Sequence, residues 1–205
     1  MRKQILLLLG LILTSITLNA QKREAGTIEL TPNIGYSISF FNGDEVGDLN
    51  FNGDEVDDLD SRDALQFGVL GDYYFNDRWS IRSGLSYFAM RASRSSSEIA
   101  LDYLNIPINA NWHFGSTRKW NLNFGVTPGF LLKGDVDGED AKDFYKSFQL
   151  AISYGIGYKI EVSDNFSLLI DGQGLFRITN TLEDSDDLKR LNAGSSVNVG
   201  GVFSF

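Results

Sequence analysis

The chain has 205 residues, a formal charge of −9, 21 Gly, 15 Phe, 8 Tyr, 3 Pro, one His and no Cys. An acidic balance argues against a nucleic-acid partner, which needs a basic footprint. The absence of cysteine and the single histidine exclude disulfides, thiol nucleophiles and multi-histidine metal sites.

Residues 1–20 read as an export signal. Arg2 and Lys3 precede a short apolar core from Ile5 to Leu13, and Leu18-Asn19-Ala20 forms a small-residue end before Gln21. The core is interrupted by Thr14, Ser15 and Thr17 and falls short of the roughly 20 apolar residues of a spanning helix. Removal of the signal takes Arg2 and Lys3 with it, moving the charge from −9 to −11. Residues 21–205 are then one domain, with no long apolar stretch.

Period-two alternation fills that domain. In residues 27–41, Ile28, Leu30, Ile34, Tyr36, Ile38 and Phe40 share one face, and Glu29, Thr31, Asn33, Ser37 and Ser39 the other. A second strand, 65–75, sets Leu65, Phe67, Val69, Tyr73 and Phe75 outward; Asn76-Asp77-Arg78 turns into a third with Trp79, Ile81, Leu85, Tyr87 and Ala89. The fourth, 99–114, carries Leu104, Ile106, Ile108, Ala110, Trp112 and Phe114, with Pro107 predicted to break or bulge the pairing. The fifth, 120–130, shows Trp120, Leu122, Phe124, Val126 and Phe130. The sixth runs from Phe148 to Val162, and the seventh shows Phe166, Leu168, Ile170 and Phe176. The eighth alternates Leu191, Val197, Val199, Phe203 and Phe205 with Asn192, Ser196, Asn198 and Ser204.

Eight strands of this length, with connections short at 76–78, 115–119 and 163–165 and long at 42–64, 91–98, 131–147 and 179–188, predict an eight-stranded antiparallel transmembrane β-barrel. The alternating lengths place short turns and both termini in the periplasm, in an up-and-down meander. Trp79, Trp112 and Trp120 beside the short turns form an interface belt. The terminal aromatics Phe203 and Phe205 suit a signal read by barrel assembly machinery. A soluble barrel would use the same alternation with the apolar face inward; strand length, aromatic rims and the export signal favour outer-membrane lipid as the solvent.

The lumen of an eight-stranded barrel holds side chains or one small ligand. Arg82, Asp102, Asn109, Asn111, His113, Asn121, Asn123, Lys159, Glu161, Asp171, Gln173, Arg177 and Asn192 are assigned to it. Arg82, Lys159 and Arg177 are expected to pair with Asp171, Glu161 or Asp102 and to plug it. His113 has Asn109 and Asn111 on its face and no obvious serine, so it reads as packed rather than catalytic.

Three of the long connections, 42–64, 131–147 and 179–188, hold 18 of the 27 acidic residues. In the acidic extracellular loop 42–64, residues 41–50 (Phe-Asn-Gly-Asp-Glu-Val-Gly-Asp-Leu-Asn) recur as 51–60. Asp48, Asn50 and Asn52 before Gly53 copy the first half of a calcium loop, with Asp54, Asp58 and Asp60 nearby. The twelfth position is Leu59, so the choice lies between a weak calcium site and a solvated acidic loop. No other cofactor is implied.

Leu101-Asp102-Tyr103-Leu104-Asn105-Ile106-Pro107 resembles the Tyr-Leu-x-Ile-Pro strand of the PorT-like outer-membrane β-barrel proteins of Bacteroidetes, often labelled porin family. The Ala-Gln signal end, the Gly-Tyr of the first strand and the terminal aromatic extend the likeness along most of residues 21–205. The resemblance implies a barrel in the bacterial outer membrane, and one founding relative looks like a factor for protein secretion. From this follows the expectation of a non-enzymatic structural or accessory subunit of a larger transport or assembly complex, in contact with other outer-membrane proteins. A narrow porin-like solute channel is the alternative, and a lipid-modifying barrel enzyme the third.

Overall fold

The structure is a computed structural model that describes residues 23–43, 60–94, 97–179 and 190–205. Its strands are β1 (Ile28–Gly43), β2 (Asp60–Tyr74), β3 (Trp79–Arg94), β4 (Ser97–Asn105), β5 (Ile108–Phe114), β6 (Trp120–Val136), β7 (Glu139–Asp140), β8 (Phe148–Ser163), β9 (Phe166–Arg177) and β10 (Arg190–Ser204). β4 and β5 are two halves of one wall, and β7 is a two-residue return folded onto β6. The remaining walls pair antiparallel with their neighbours in sequence, and β1 pairs with β10. The result is a closed up-and-down barrel of eight walls. Closure leaves no sheet edge, the condition for strands to cross hydrocarbon. Strands of 15 to 17 residues in β1, β2, β3 and β6 reach about 50 Å at roughly 3.3 Å per residue, ample for a tilted crossing.

Burial is inverted relative to a water-soluble domain. Ile34, Phe67, Phe124, Tyr154 and Val199 are exposed on the outer wall, whereas Asn111, His113, Asn121 and Asn123 have no exposed surface. Such an apolar wall is stable only against lipid. At the end where Ile28 and Phe205 exchange backbone hydrogen bonds, here called the floor, a run of aromatic contacts circles the wall. Trp79 stacks near Trp112, Trp112 on Phe114, Phe114 near Trp120, and Trp120 meets Tyr158 at 4.8 Å. All three tryptophans therefore sit in one girdle, where amphipathic rings favour the membrane interface.

The fourth wall breaks where expected. Ile106 and Pro107 separate β4 from β5, because Pro107 has no N–H to place in the ladder. Ile106 keeps the wall joined by donating its N–H to Pro128 O, 2.9 Å away. Strands extend further toward the opposite end, the mouth, than alternation alone indicates. β2 begins at Asp60 rather than near residue 65, β3 and β4 leave only residues 95–96 between them, and β6 continues to Val136. Ladder hydrogen bonds carry these segments beyond the point where their outward residues stop being apolar.

Candidate functional site in the barrel interior

The interior has three layers. On the floor, Glu29 of β1 is completely buried and surrounded by donors. Arg23 Nε donates to its Oε1 at 2.6 Å, Tyr74 OH to its Oε2 at 2.9 Å and Ser204 Oγ to Oε1 at 3.3 Å. Lys159 Nζ forms an ion pair with the same carboxylate and donates to the Tyr74 phenolic oxygen Oη at 2.7 Å. Glu161 lies at the rim of this layer, 3.5 Å from Arg23 and 3.1 Å from Lys119. Burial works against the charge on Arg23, but Glu29 and then Glu161 offset it and hold its pKa above the ordinary value. Charge-assisted hydrogen bonds of this kind satisfy a buried carboxylate that would otherwise be prohibitively costly to desolvate.

The middle layer is centred on Asp72 of β2 and Asp171 of β9. Asp72 accepts from Ser80 Oγ (2.8 Å), Asn111 Nδ2 (2.8 Å) and Arg82 Nε (3.1 Å). Arg82 Nη1 lies 3.5 Å from Asp171, which accepts from Gln173 and Asn198. A second chain links Thr127 to Ser153, Ser153 to Asn109 and Asn109 to Asn123. Above it lies a cavity of about 70 Å³, lined by Gln66, Arg82, Asn109, Ser153, Asp171 and Phe88 among others.

The mouth layer is apolar. Phe88, Met90, Leu101, Tyr103 and Leu131 form a buried cluster inside the lumen. Arg177 penetrates it, with its guanidinium carbon 4.6 Å from the Tyr103 ring centre and 5.6 Å from that of Phe88, and Nη1 2.7 Å from Met90 Sδ.

Several expected pairings are corrected by this arrangement. Lys159 meets Glu29 rather than Asp171, Glu161 or Asp102. Arg177 has no carboxylate within ion-pair distance among the described residues and sits on aromatic faces instead. Asp102 points out of the lumen, because its neighbours Leu101 and Tyr103 take the inward positions; it pairs with Arg91 at 2.7 Å beside Lys133 on the outer wall. Arg82 lies between Asp171 and Asp72. Glu29, Asp72 and Tyr74 were missing from the predicted network, although Glu29 stood on the polar face of the first strand and Asp72 is in register with Gln66 on the second. Inward position was legible for both, but which partner lies across the barrel was not.

His113 does have a serine. Its Nε2 is 2.9 Å from Ser80 Oγ, and its ring stacks on Tyr74 at 4.7 Å. Ser80 has one proton and gives it to Asp72, so His113 must donate its Nε2–H to Ser80. A hydroxyl committed to a carboxylate and receiving from histidine is not an activated nucleophile.

The signal segment 1–20, the repeat with Asp48, Asn50, Asn52, Asp54 and Asp58, and the side chains of Asp60 and Asn192 lie outside the described residues. Among the described residues, no group of three or more His, Asp or Glu side chains is arranged to hold a metal ion. Phe203 packs on Phe166 on the outer wall at 5.1 Å, and Phe205 is largely exposed at the floor.

An inverted, closed, eight-walled barrel with a polar interior and an aromatic girdle defines a small outer-membrane β-barrel protein. The chain belongs to the family described as outer membrane protein beta-barrel domain, which matches residues 19–200. Its fold is similar to that of OprG from Pseudomonas aeruginosa (TM-score 0.62, 12% identity, 91% of this chain and 99% of that one). It is also similar to Neisserial surface protein A (TM-score 0.52, 14% identity, 88% and 99%) and to AlkL in lipid bilayers (TM-score 0.51, 16% identity, 91% and 93%). No curated protein matches the chain by sequence. The protein is a bacterial outer-membrane barrel embedded in lipid.

Proposed function

We propose that this barrel is a non-enzymatic structural or accessory subunit of a larger outer-membrane transport or assembly complex, acting through its lipid-facing wall and mouth rather than through its lumen. The observation that carries the reading is the ion-paired plug running from Glu29 and Lys159 through Asp72 and Arg82 to Asp171. Charges held this way would have to separate before a hydrated solute could pass, and separating buried pairs is strongly unfavourable. The resemblance of the Tyr103–Pro107 segment to PorT-like proteins agrees with this role. So does the pair of half-buried Arg91 and buried Asp102, a polar feature on the outer wall near the mouth. In this reading both termini face the periplasm, and Phe203 and Phe205 present the sequence read during assembly.

Extraction in mild detergent followed by identification of bound proteins tests the proposal. A reproducible outer-membrane companion is the expected result, and a monomer with no consistent companion overturns it. The interior cavity favours the second reading, a narrow channel, but about 70 Å³ holds only a few waters. Planar-bilayer recordings separate the two, with no discrete conductance steps expected of the plugged barrel.

A further inference from the structure

The interior charges nearly balance, with one exception. Glu29, Asp72 and Asp171 face Arg23, Lys159 and Arg82, and Glu161 faces Lys119. Arg177 alone, 2% exposed at the end of β9, has no such partner among the described residues. Its observed neighbours are two ring faces and a thioether sulfur, all weak acceptors for a group with five N–H donors.

The polar groups around it are also unmet. Tyr103 OH, whose ring lies beneath the guanidinium, is fully buried and has no hydrogen-bond partner among the described residues. Gln149 is 1% exposed, and both its amide nitrogen and its amide oxygen lack partners among the described residues. Arg177 is in register with Ala151 on β8, so Gln149, two residues along the same face, is its diagonal neighbour. Three buried groups with N–H or O–H donors to offer thus lie in the mouth layer with no carboxylate among the described residues to receive them. Native interiors rarely leave such groups unsatisfied.

We infer that Arg177, Gln149 and Tyr103 form a binding site for a small carboxylate anion in the mouth of the barrel. A carboxylate matches the chemistry. Its two oxygens fit the planar guanidinium fork, and its remaining lone pairs accept from the Gln149 amide and the Tyr103 hydroxyl. The apolar collar of Phe88, Met90, Leu101 and Leu131 excludes water and strengthens the charge pairing, which selects against larger hydrated anions. The inference is independent of whether the barrel has protein partners.

Acetate is the probe, titrated into full-length detergent-solubilised protein with labelled arginine side chains. Ionic strength is held constant with chloride. A saturable shift of the Arg177 Nε resonance is expected, together with a melting temperature that rises with the logarithm of acetate concentration above the dissociation constant. Gln149→Ala should weaken acetate binding at least about fivefold, as expected for loss of one charge-assisted hydrogen bond. Arg177→Met, an apolar replacement in an apolar collar, should fold and lose the acetate response altogether. No saturable response in the wild type overturns the site, as does an undiminished response in Arg177→Met. Equal responses to chloride and acetate overturn its assignment to carboxylates. Should Arg177→Met fail to fold, the Gln149→Ala titration decides.

Discussion

Lys159 of β8 reaches across the lumen floor to Glu29 of β1, and both side chains are almost completely buried. The contact ties the first wall of the barrel to the sixth, and Arg23, Tyr74 and Ser204 close around the same carboxylate. Replacement of Glu29 by Gln leaves buried Lys159 without its ion-pair partner and Arg23 with only Glu161, 3.5 Å away. A loss of about 3–5 kcal/mol is expected from breaking such a pair. Urea unfolding in detergent measures it, and Lys159→Met added to Glu29→Gln should recover part of the loss.

His113→Phe preserves the stack on Tyr74 and removes one hydrogen bond to Ser80, whose proton stays on Asp72. The expected cost is about 0.5–1.5 kcal/mol. The membrane lipid profile of cells carrying the variant should match that of the wild type. A changed profile in lipid mass spectrometry would revive a lipid-modifying reading.

Two glycines on the wall should respond unequally to the same methyl group. A Cβ on Gly125 would lie 2.1 Å from Ile108 O and 2.7 Å from the Asn109 Cα, both backbone. Gly125→Ala must push β6 away from β5 and should cost about 1–3 kcal/mol. The three atoms nearest a Cβ on Gly174 all belong to the far end of the Tyr154 side chain, which is exposed to lipid and can swing aside. Gly174→Ala should cost under about 1 kcal/mol. Parallel melting curves test the contrast, and equal losses would contradict it.

The tryptophan girdle predicts a depth. Trp79, Trp112 and Trp120 should be quenched strongly by bromines near the lipid headgroups and weakly by bromines at the acyl-chain ends. Deep quenching of any one of them would move the membrane relative to the barrel.

Wall count, the outward register and the interruption at Pro107 could all be read from the sequence, because alternation is a local property that needs no partner. Arg82, Lys159 and Asp171 were recognisable as interior for the same reason. What could not be read was pairing across the lumen. Lys159 and Glu29 are separated by 130 residues, and only the register of the walls between them, three seams one way round the barrel and five the other, decides that they meet. The apolar mouth layer was hidden differently. Phe88 follows Tyr87, and Leu101 and Tyr103 flank Asp102, so local alternation mixes oily residues on both faces. Asp102 was drawn inward by its charge, when the strand parity of Leu104 and Ile106 already placed it outside.

The seam between β1 and β10 has a kinetic side. While the other walls assemble by hairpins, β1 must wait with one row of amides and carbonyls unsatisfied until Gly200 and Val199 arrive opposite Asn33 and Ile34. In lipid that delay is hazardous, and in water the same edge invites aggregation. A catalyst that shelters the waiting strand therefore answers a need created by the topology itself, whatever the finished barrel is used for.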